Sequence, residues 1–182
     1  MALASLKELY LDELGDLYDV ETQMIRTLPR WSERAQAPEL RAALAACGLE
    51  SRLHLERLQL IFTHWGLPAA PRTCAGIAGI VQEADDRLNQ VTTRDLCDAA
   101  IIGAARRIEH YEIAAYGSAR AYALRVNRAD EARLLQETLN DQGRADRGLA
   151  ALDGSEAGDD SRPVPARAER SVSEPRWTAA DR

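Results

Sequence analysis

The chain has 182 residues, enough for one domain with a sizeable core, and 46% of them are hydrophobic. Ala and Leu dominate that fraction and there is a single Phe, a balance that favours helices and leaves few strand formers. The net charge of −6 argues against nucleic-acid binding through a basic face, and no apolar run approaches the length of a membrane span.

The first helix is expected from Ser5 to about Ala35. Leu6, Leu9, Tyr10, Leu14, Leu17, Met24, Ile25 and Leu28 recur at three- and four-residue steps. Ser5 and Glu8 have capping-box spacing, and Pro29 is expected to bend or end the regular part. Lys7, Glu8, Asp12 and Glu13 crowd the start with charge, which a secretory leader would not tolerate. Cys47, Cys74 and Cys97 are odd in number and show no CxxC spacing, so they read as reduced residues of a cytoplasmic protein.

Pro38 opens a second helix that runs to Gly66, with Leu40, Leu44, Leu49, Leu53, Leu58, Ile61, Phe62 and Trp65 as its apolar side. Gly66 serves as its C-terminal glycine, and Pro68 and Pro71 enforce the stop. Ile77, Ile80, Val81, Ala84 and Leu88 give the connector a short amphipathic helix over 74–89. Thr92 or Thr93 caps a third long helix that reaches Val126. Asn127 marks a break, and a fourth long helix spans Arg128 to about Leu152. From Asp153 onward Ser, Pro and charge replace the periodicity, so residues 153–182 are expected to be a disordered tail beyond a single domain over 1–152. Two long helices, a crossover carrying its own short helix and two more long helices make an all-α, antiparallel four-helix bundle of ferritin-like topology.

Acids sit among the core positions of every long helix, and buried carboxylates are costly unless paired, protonated or bound to metal. Glu21 shares the side of Leu17 and Ile25. Glu50 and His54 are one turn apart, Glu109 and Glu112 are three apart, and Glu137 and Asp141 are four apart. In an antiparallel hairpin, residues equidistant from the turn lie level. The midpoint of Glu21 and Glu50 falls beside the 36–38 break, and that of Glu112 and Asp141 falls at the 126–127 break. Both pairs then lie about 21 Å from their loops, at roughly 1.5 Å per residue. Glu137 is the alternative to Asp141 on the last helix, with its midpoint slightly inside the helix. Such a set suits two divalent ions, iron or manganese, held by bridging carboxylates and one or two imidazoles. Solvated faces and ion pairs account equally for acids of this kind. His54 and Glu137 in particular read as ordinary helix residues when taken alone.

The strings LYLDELGDLYDVETQ, LERLQLIF, GIVQEADD, AARRIEHYEIAAYG and LLQETL cover residues 5 to about 152. Through them the sequence resembles the YciF-like family of ferritin-like proteins, a bacterial stress-associated domain of unknown function, and more distantly rubrerythrin. The resemblance implies a bundle that associates into dimers around a possible dinuclear centre. Glu21, Glu50, Glu109 and Glu112 would take its carboxylate positions. His54 departs from the rubrerythrin-like spacing by one residue, no histidine follows Asp141, and Asn140-Asp141-Gln142 stands where relatives are more acidic. Three readings follow: a di-metal oxidoreductase of ferroxidase or peroxidase type, a non-enzymatic stress-associated bundle acting through protein association, and a metal-storage shell. In the first, Glu50 and Glu112 bridge, Glu21, Glu109, His54 and Asp141 are terminal ligands, and Tyr18, Tyr111 and Tyr116 are candidates for supporting hydrogen bonds. The partner expected is a second copy, through the outer side of the connector helix, with no nucleic acid and no membrane.

Overall fold

The computed structural model describes residues 3–69 and 71–154, so the expected tail lies from residue 155 onward outside the described residues. Five helices follow one another: α1 (Leu6–Arg34), α2 (Pro38–His64), α3 (Ala75–Leu88), α4 (Arg94–Arg125) and α5 (Ala129–Leu152). Their ends carry the expected signals. Ser5 Oγ accepts the Glu8 N–H at 3.2 Å, while the Glu8 carboxylate reaches back one residue further and accepts from Ala4 N–H at 2.7 Å. Thr93 caps α4, and Gly66 and Asn127 take the left-handed conformation, φ 64° and 60°, at the ends of α2 and α4.

Pro29 lies inside α1 without ending it, and the helix continues to Arg34 with Ala35 as its cap, at the expected boundary. The ring is exposed, so the carbonyl of Ile25 that it leaves without a helical donor can face water. Trp31 and Leu28 meanwhile hold the last turns in the core.

The long helices pack as α1 on α2, α4 on α5, α1 on α4 and α2 on α5, which leaves α2 and α4 diagonal across the bundle. The Asp98 carboxylate, near the start of α4, accepts from the Gln36 and Ala37 N–H groups in the α1–α2 loop. Tyr10, Trp65 and Glu131 meet at the other end. Helices α1 and α5 therefore run one way and α2 and α4 the other, with α3 in the long crossover.

Helix α3 lies on α4 and α1, with Ile77, Ala84 and Leu88 buried. Asp85 fixes it by accepting from the Trp31 indole N–H at 2.8 Å. The apolar stripe of the connector is thus covered within the chain. The large exposed apolar side chains among the described residues include Leu49, Leu53 and Leu60 on α2. No helix of the described residues is long and apolar enough to cross a membrane.

The interior is divided. One apolar cluster runs from Val20, Met24 and Trp31 to Leu44, Ile101, Ile108 and Leu149. A second gathers Tyr10, Leu14, Leu17, Leu58, Ile61, Tyr116 and Leu135. Between them lies a polar layer containing Glu21, Ser51, His54, Glu109, Glu112, Asp141 and Gln142, all buried.

Candidate metal centre

Each long helix contributes to this layer through the geometry of its turns. On α2 the inward stripe steps through Leu40, Leu44, Cys47, Ser51, His54, Leu58 and Ile61. Leu49 and Leu53, expected on the apolar side, are 64% and 50% exposed. The polar layer occupies the very positions that a count of leucines passes over. On α4, Glu109 and Glu112 stand among Ala105, Ile108 and Tyr116 on the buried face.

Glu21 is fully buried. Its Oε1 accepts from the Tyr116 hydroxyl at 2.7 Å and lies 3.0 Å from His54 Nδ1. The other imidazole nitrogen lies 3.4 Å from Asp141 Oδ2, so both His54 nitrogens are committed to carboxylates. Metal ligation through His54 would displace one of those contacts. Glu112 Oε2 accepts from the Gln142 amide at 2.9 Å, confirming that α4 and α5 are level here.

Burial, followed by the charges of Glu21 and Glu50, pushes the Glu109 carboxyl up to about 8. Burial, Glu21 and Glu109 also raise Glu112 well above the ordinary carboxylate range. Glu50, half-buried, is raised by burial and by Asp141. Glu21 Oε2, Glu109 Oε2 and Glu112 Oε1 are buried without a hydrogen-bond partner. Beside Glu109 and Glu112 is a cavity of about 10 Å³, whose polar lining is Cys47, Glu50, Ser51, Glu109, Glu112 and Gln142. That volume is the lower bound for one water molecule or one bare ion.

Asp141 and Glu137 have a different environment. Burial pulls the Asp141 carboxyl upward, but hydrogen bonds from Arg57 at 2.6 Å and Arg144 at 2.5 Å outweigh it and hold Asp141 low. The Glu137 side chain is 59% exposed and lies 3.6 Å from Arg57, outside the buried layer. Arg144 also stands 3.8 Å from Glu50. Of the residues singled out from sequence, Glu21, Glu50, His54, Glu109, Glu112 and Asp141 share one layer and Glu137 does not join it. Tyr116 reaches the layer, whereas Tyr18 accepts from Gln59 on the surface and Tyr111 faces Cys74. His110 and His64 lie outside it, beside Asp146 and Glu131.

Spacing alone did not single out Arg57, Cys47 or Gln142 as members. Arg57 follows His54 by three residues and Cys47 precedes Glu50 by three, so extending the His54 and Glu50 face by one turn would have reached both.

The donors fit a divalent cation in charge and chemistry: the orphaned carboxylate oxygens are hard ligands whose mutual repulsion a cation would relieve. No three His, Cys, Asp or Glu side chains of the described residues converge on one point, so holding a cation would require side-chain rotation within the layer.

Three comparisons bear on this architecture. Residues 5–160 match a family described as "Domain of unknown function (DUF892)". Protein YciF of Escherichia coli K12 is 29% identical over 153 residues, covering 84% of this chain and 92% of that protein. The crystal structure of that protein, described as a stress protein, superposes with a TM-score of 0.79 at 28% identity, over 82% of this chain and 95% of its own. YcfI from Rhodopseudomonas palustris, provisionally described as a structural protein, gives 0.79 at 32% identity over 80% and 93%.

Proposed function

The chain belongs to the DUF892 family, and we propose that its bundle is a stress-associated metal protein that takes up iron(II) or manganese(II) in the buried acidic layer. The observation that carries this reading is the group of three buried carboxylates, Glu21, Glu109 and Glu112, each with one unpartnered oxygen. Water would be the default solution for such groups, but the adjoining cavity has room for about one. Protonation is the other solution, and burial with mutual repulsion raises the Glu109 and Glu112 carboxyls in that direction.

Glu109 and Glu112 would hold the cation, with Glu50 at the more open side and Glu21 opposite. His54 becomes available if it leaves Asp141. Bound iron or manganese would supply one-electron chemistry with oxygen or peroxide. The chain's own contribution is separable from that chemistry. Tyr116 orients Glu21, Gln142 orients Glu112, and the two apolar clusters exclude bulk water from above and below. The description of the Escherichia coli relative as a stress protein supports placing the chain in such a response.

Protein stripped with chelator and dialysed against manganese(II), or anaerobically against iron(II), should retain one or two ions per chain by direct metal analysis. Glu112→Gln should retain less. Retention in the wild type no greater than in a buffer blank would overturn the reading.

A second reading has its own support, because Arg57 and Arg144 already neutralise Asp141 as a cation otherwise would. In that reading the layer is vestigial and the protein acts by association, for which the exposed Leu49, Leu53 and Leu60 on α2 offer a surface. Sedimentation would then show self-association that Leu49→Glu and Leu53→Glu together abolish. A wild type that sediments as a 20.1 kDa monomer at micromolar concentration removes this reading.

A further inference from the structure

Cys47 faces the acidic layer. It sits one turn before Glu50 on α2 and is 9% exposed; burial, followed by the charges of Glu109, Glu50 and Glu112, pushes its thiol well up, so a thiolate there needs a cation beside it. With Glu50 it forms an i, i+3 pair that points across the bundle at the i, i+3 pair of Glu109 and Glu112 on the diagonal helix α4. All four line the same cavity. Two of the orphaned oxygens, Glu109 Oε2 and Glu112 Oε1, belong to that lining, on side chains 5% and 3% exposed. Cys74 and Cys97 have no comparable setting. Cys74 lies against the Tyr111 hydroxyl at 3.0 Å, and the Cys97 thiol points to the Arg34 carbonyl at 3.6 Å.

We propose that Cys47 is a thiolate ligand of the cation held by Glu109 and Glu112, and that it biases the site toward borderline metals such as iron(II), cobalt(II) and zinc over manganese(II). The proposal rests on the metal-binding reading given above. A small, nearly dry cavity that offers one sulfur beside two or three carboxylates is a mixed soft and hard donor set. Manganese(II) and magnesium gain little from sulfur, whereas the later divalent ions gain much. On binding, the S–H bond breaks, the metal–sulfur bond forms and the proton leaves to solvent. No oxidation state changes.

Cobalt(II) tests this without any assay of activity, since cobalt–thiolate charge transfer absorbs in the near ultraviolet and cobalt d–d bands in the visible. The full chain, metal-free and under reductant, is titrated with cobalt(II) as wild type, Cys47→Ser, Cys74→Ser and Cys97→Ser. The wild type, Cys74→Ser and Cys97→Ser should show both kinds of band, and Cys47→Ser the d–d bands alone. Competition should also show the preference for cobalt(II) over manganese(II) falling at least about tenfold in Cys47→Ser. Visible bands without charge transfer in the wild type, or charge transfer that survives Cys47→Ser, overturn the ligand assignment and leave the acidic site standing. Absence of cobalt uptake in all four proteins overturns the metal reading beneath it. Circular dichroism of Cys47→Ser separates loss of fold from loss of ligand, and Cys47→Ala serves as the second variant.

Discussion

Glu131 and Glu112 are both buried acids, 1% and 3% exposed, yet the molecule treats them in opposite ways. Glu131, in the first turn of α5, accepts from the Tyr10 hydroxyl at 2.9 Å and the Trp65 indole N–H at 3.0 Å. Arg128 stands 3.7 Å from its other oxygen and His64 3.9 Å. Trp65 is in turn flanked by Lys7 and Arg128 over its ring. This acid ties the start of α1, the end of α2 and the α4–α5 loop into one knot: both donors fall on Oε2, and Oε1, which like Glu112 Oε1 has no hydrogen-bond donor, has Arg128 beside it in place of other acids. Glu112 has one amide donor, and its charged neighbours are Glu21 and Glu109. A buried carboxylate ringed by donors is a fastener. A buried carboxylate facing other carboxylates is destabilising until a proton or a cation arrives.

Substitution separates the two most sharply. Glu131→Ala strands the Tyr10 and Trp65 donors and leaves Arg128 without its acidic neighbour, and should cost about 3 kcal/mol in urea unfolding. Glu131→Gln, which keeps an acceptor, should cost about half as much. Glu112→Gln should leave the metal-free protein unchanged or stabilise it, since it removes a like charge and keeps the acceptor for Gln142. Equal losses at both positions would erase the distinction.

Cations sharpen it from the other side. Iron(II) or manganese(II) at a hundred times its dissociation constant should stabilise the wild type by about 2.7 kcal/mol, seen as a rise in melting temperature. Glu112→Gln should lose most of that rise, while Glu131→Gln should keep it despite a lower starting point. Superimposable wild-type melting curves with and without both metals would make the middle layer another fastener.

Acidity provides a metal-free version of the same test. Glu109 is held up at about 8, and Glu112 and Glu50 are raised as well, so the folded layer keeps protons that the unfolded chain releases above about 4.5. Stability contributed by the protonated acids is complete below that value and is lost as pH climbs toward 8. The metal-free protein should therefore melt several degrees higher at pH 5 than at pH 8. Asp141, held low by its arginines, works in the opposite direction only below about pH 4, outside this window. Glu112→Gln should flatten the slope without abolishing it, because Glu13, raised by burial and by Asp16, also contributes. A wild type equally stable at both values would mean that the layer carries no excess protons.

Much of this fold could be read directly, because caps, glycine and proline positions act locally. Ser5, Thr93, Gly66 and Asn127 sit where the helices start or stop, and the hairpin midpoints put the acids at one height. The misses have separate causes. A helix that lines a polar layer does not advertise its inner face with leucines, so Leu49 and Leu53 drew the stripe of α2 to the wrong side while Cys47, Ser51 and His54 faced inward. Glu131 was missed because its partners, Tyr10 and Trp65, lie 121 and 66 residues away in sequence. Local spacing contains no trace of such a contact.

The finest distinction lies within the layer, at Asp141, where arginine has taken the role a cation would otherwise fill. Arg144 is 58% exposed, so its bonds to Asp141 contribute little to stability, within about 0.5 kcal/mol. Its charge nevertheless opposes an incoming cation, and it holds Asp141 and crowds Glu50. Arg144→Ala should therefore leave the melting temperature of the metal-free protein almost unchanged and tighten divalent-ion binding a few-fold, on the order of 1 kcal/mol. Arg133→Ala, which removes an exposed pair with Asp130 elsewhere on α5, controls for the general change in charge and should not alter affinity. Calorimetric titration of the three proteins with manganese(II) measures the difference. If Arg144→Ala binds no more tightly than Arg133→Ala, Asp141 belongs with Glu131 among the fasteners, and the cation site ends at Glu21, Glu50, Glu109 and Glu112.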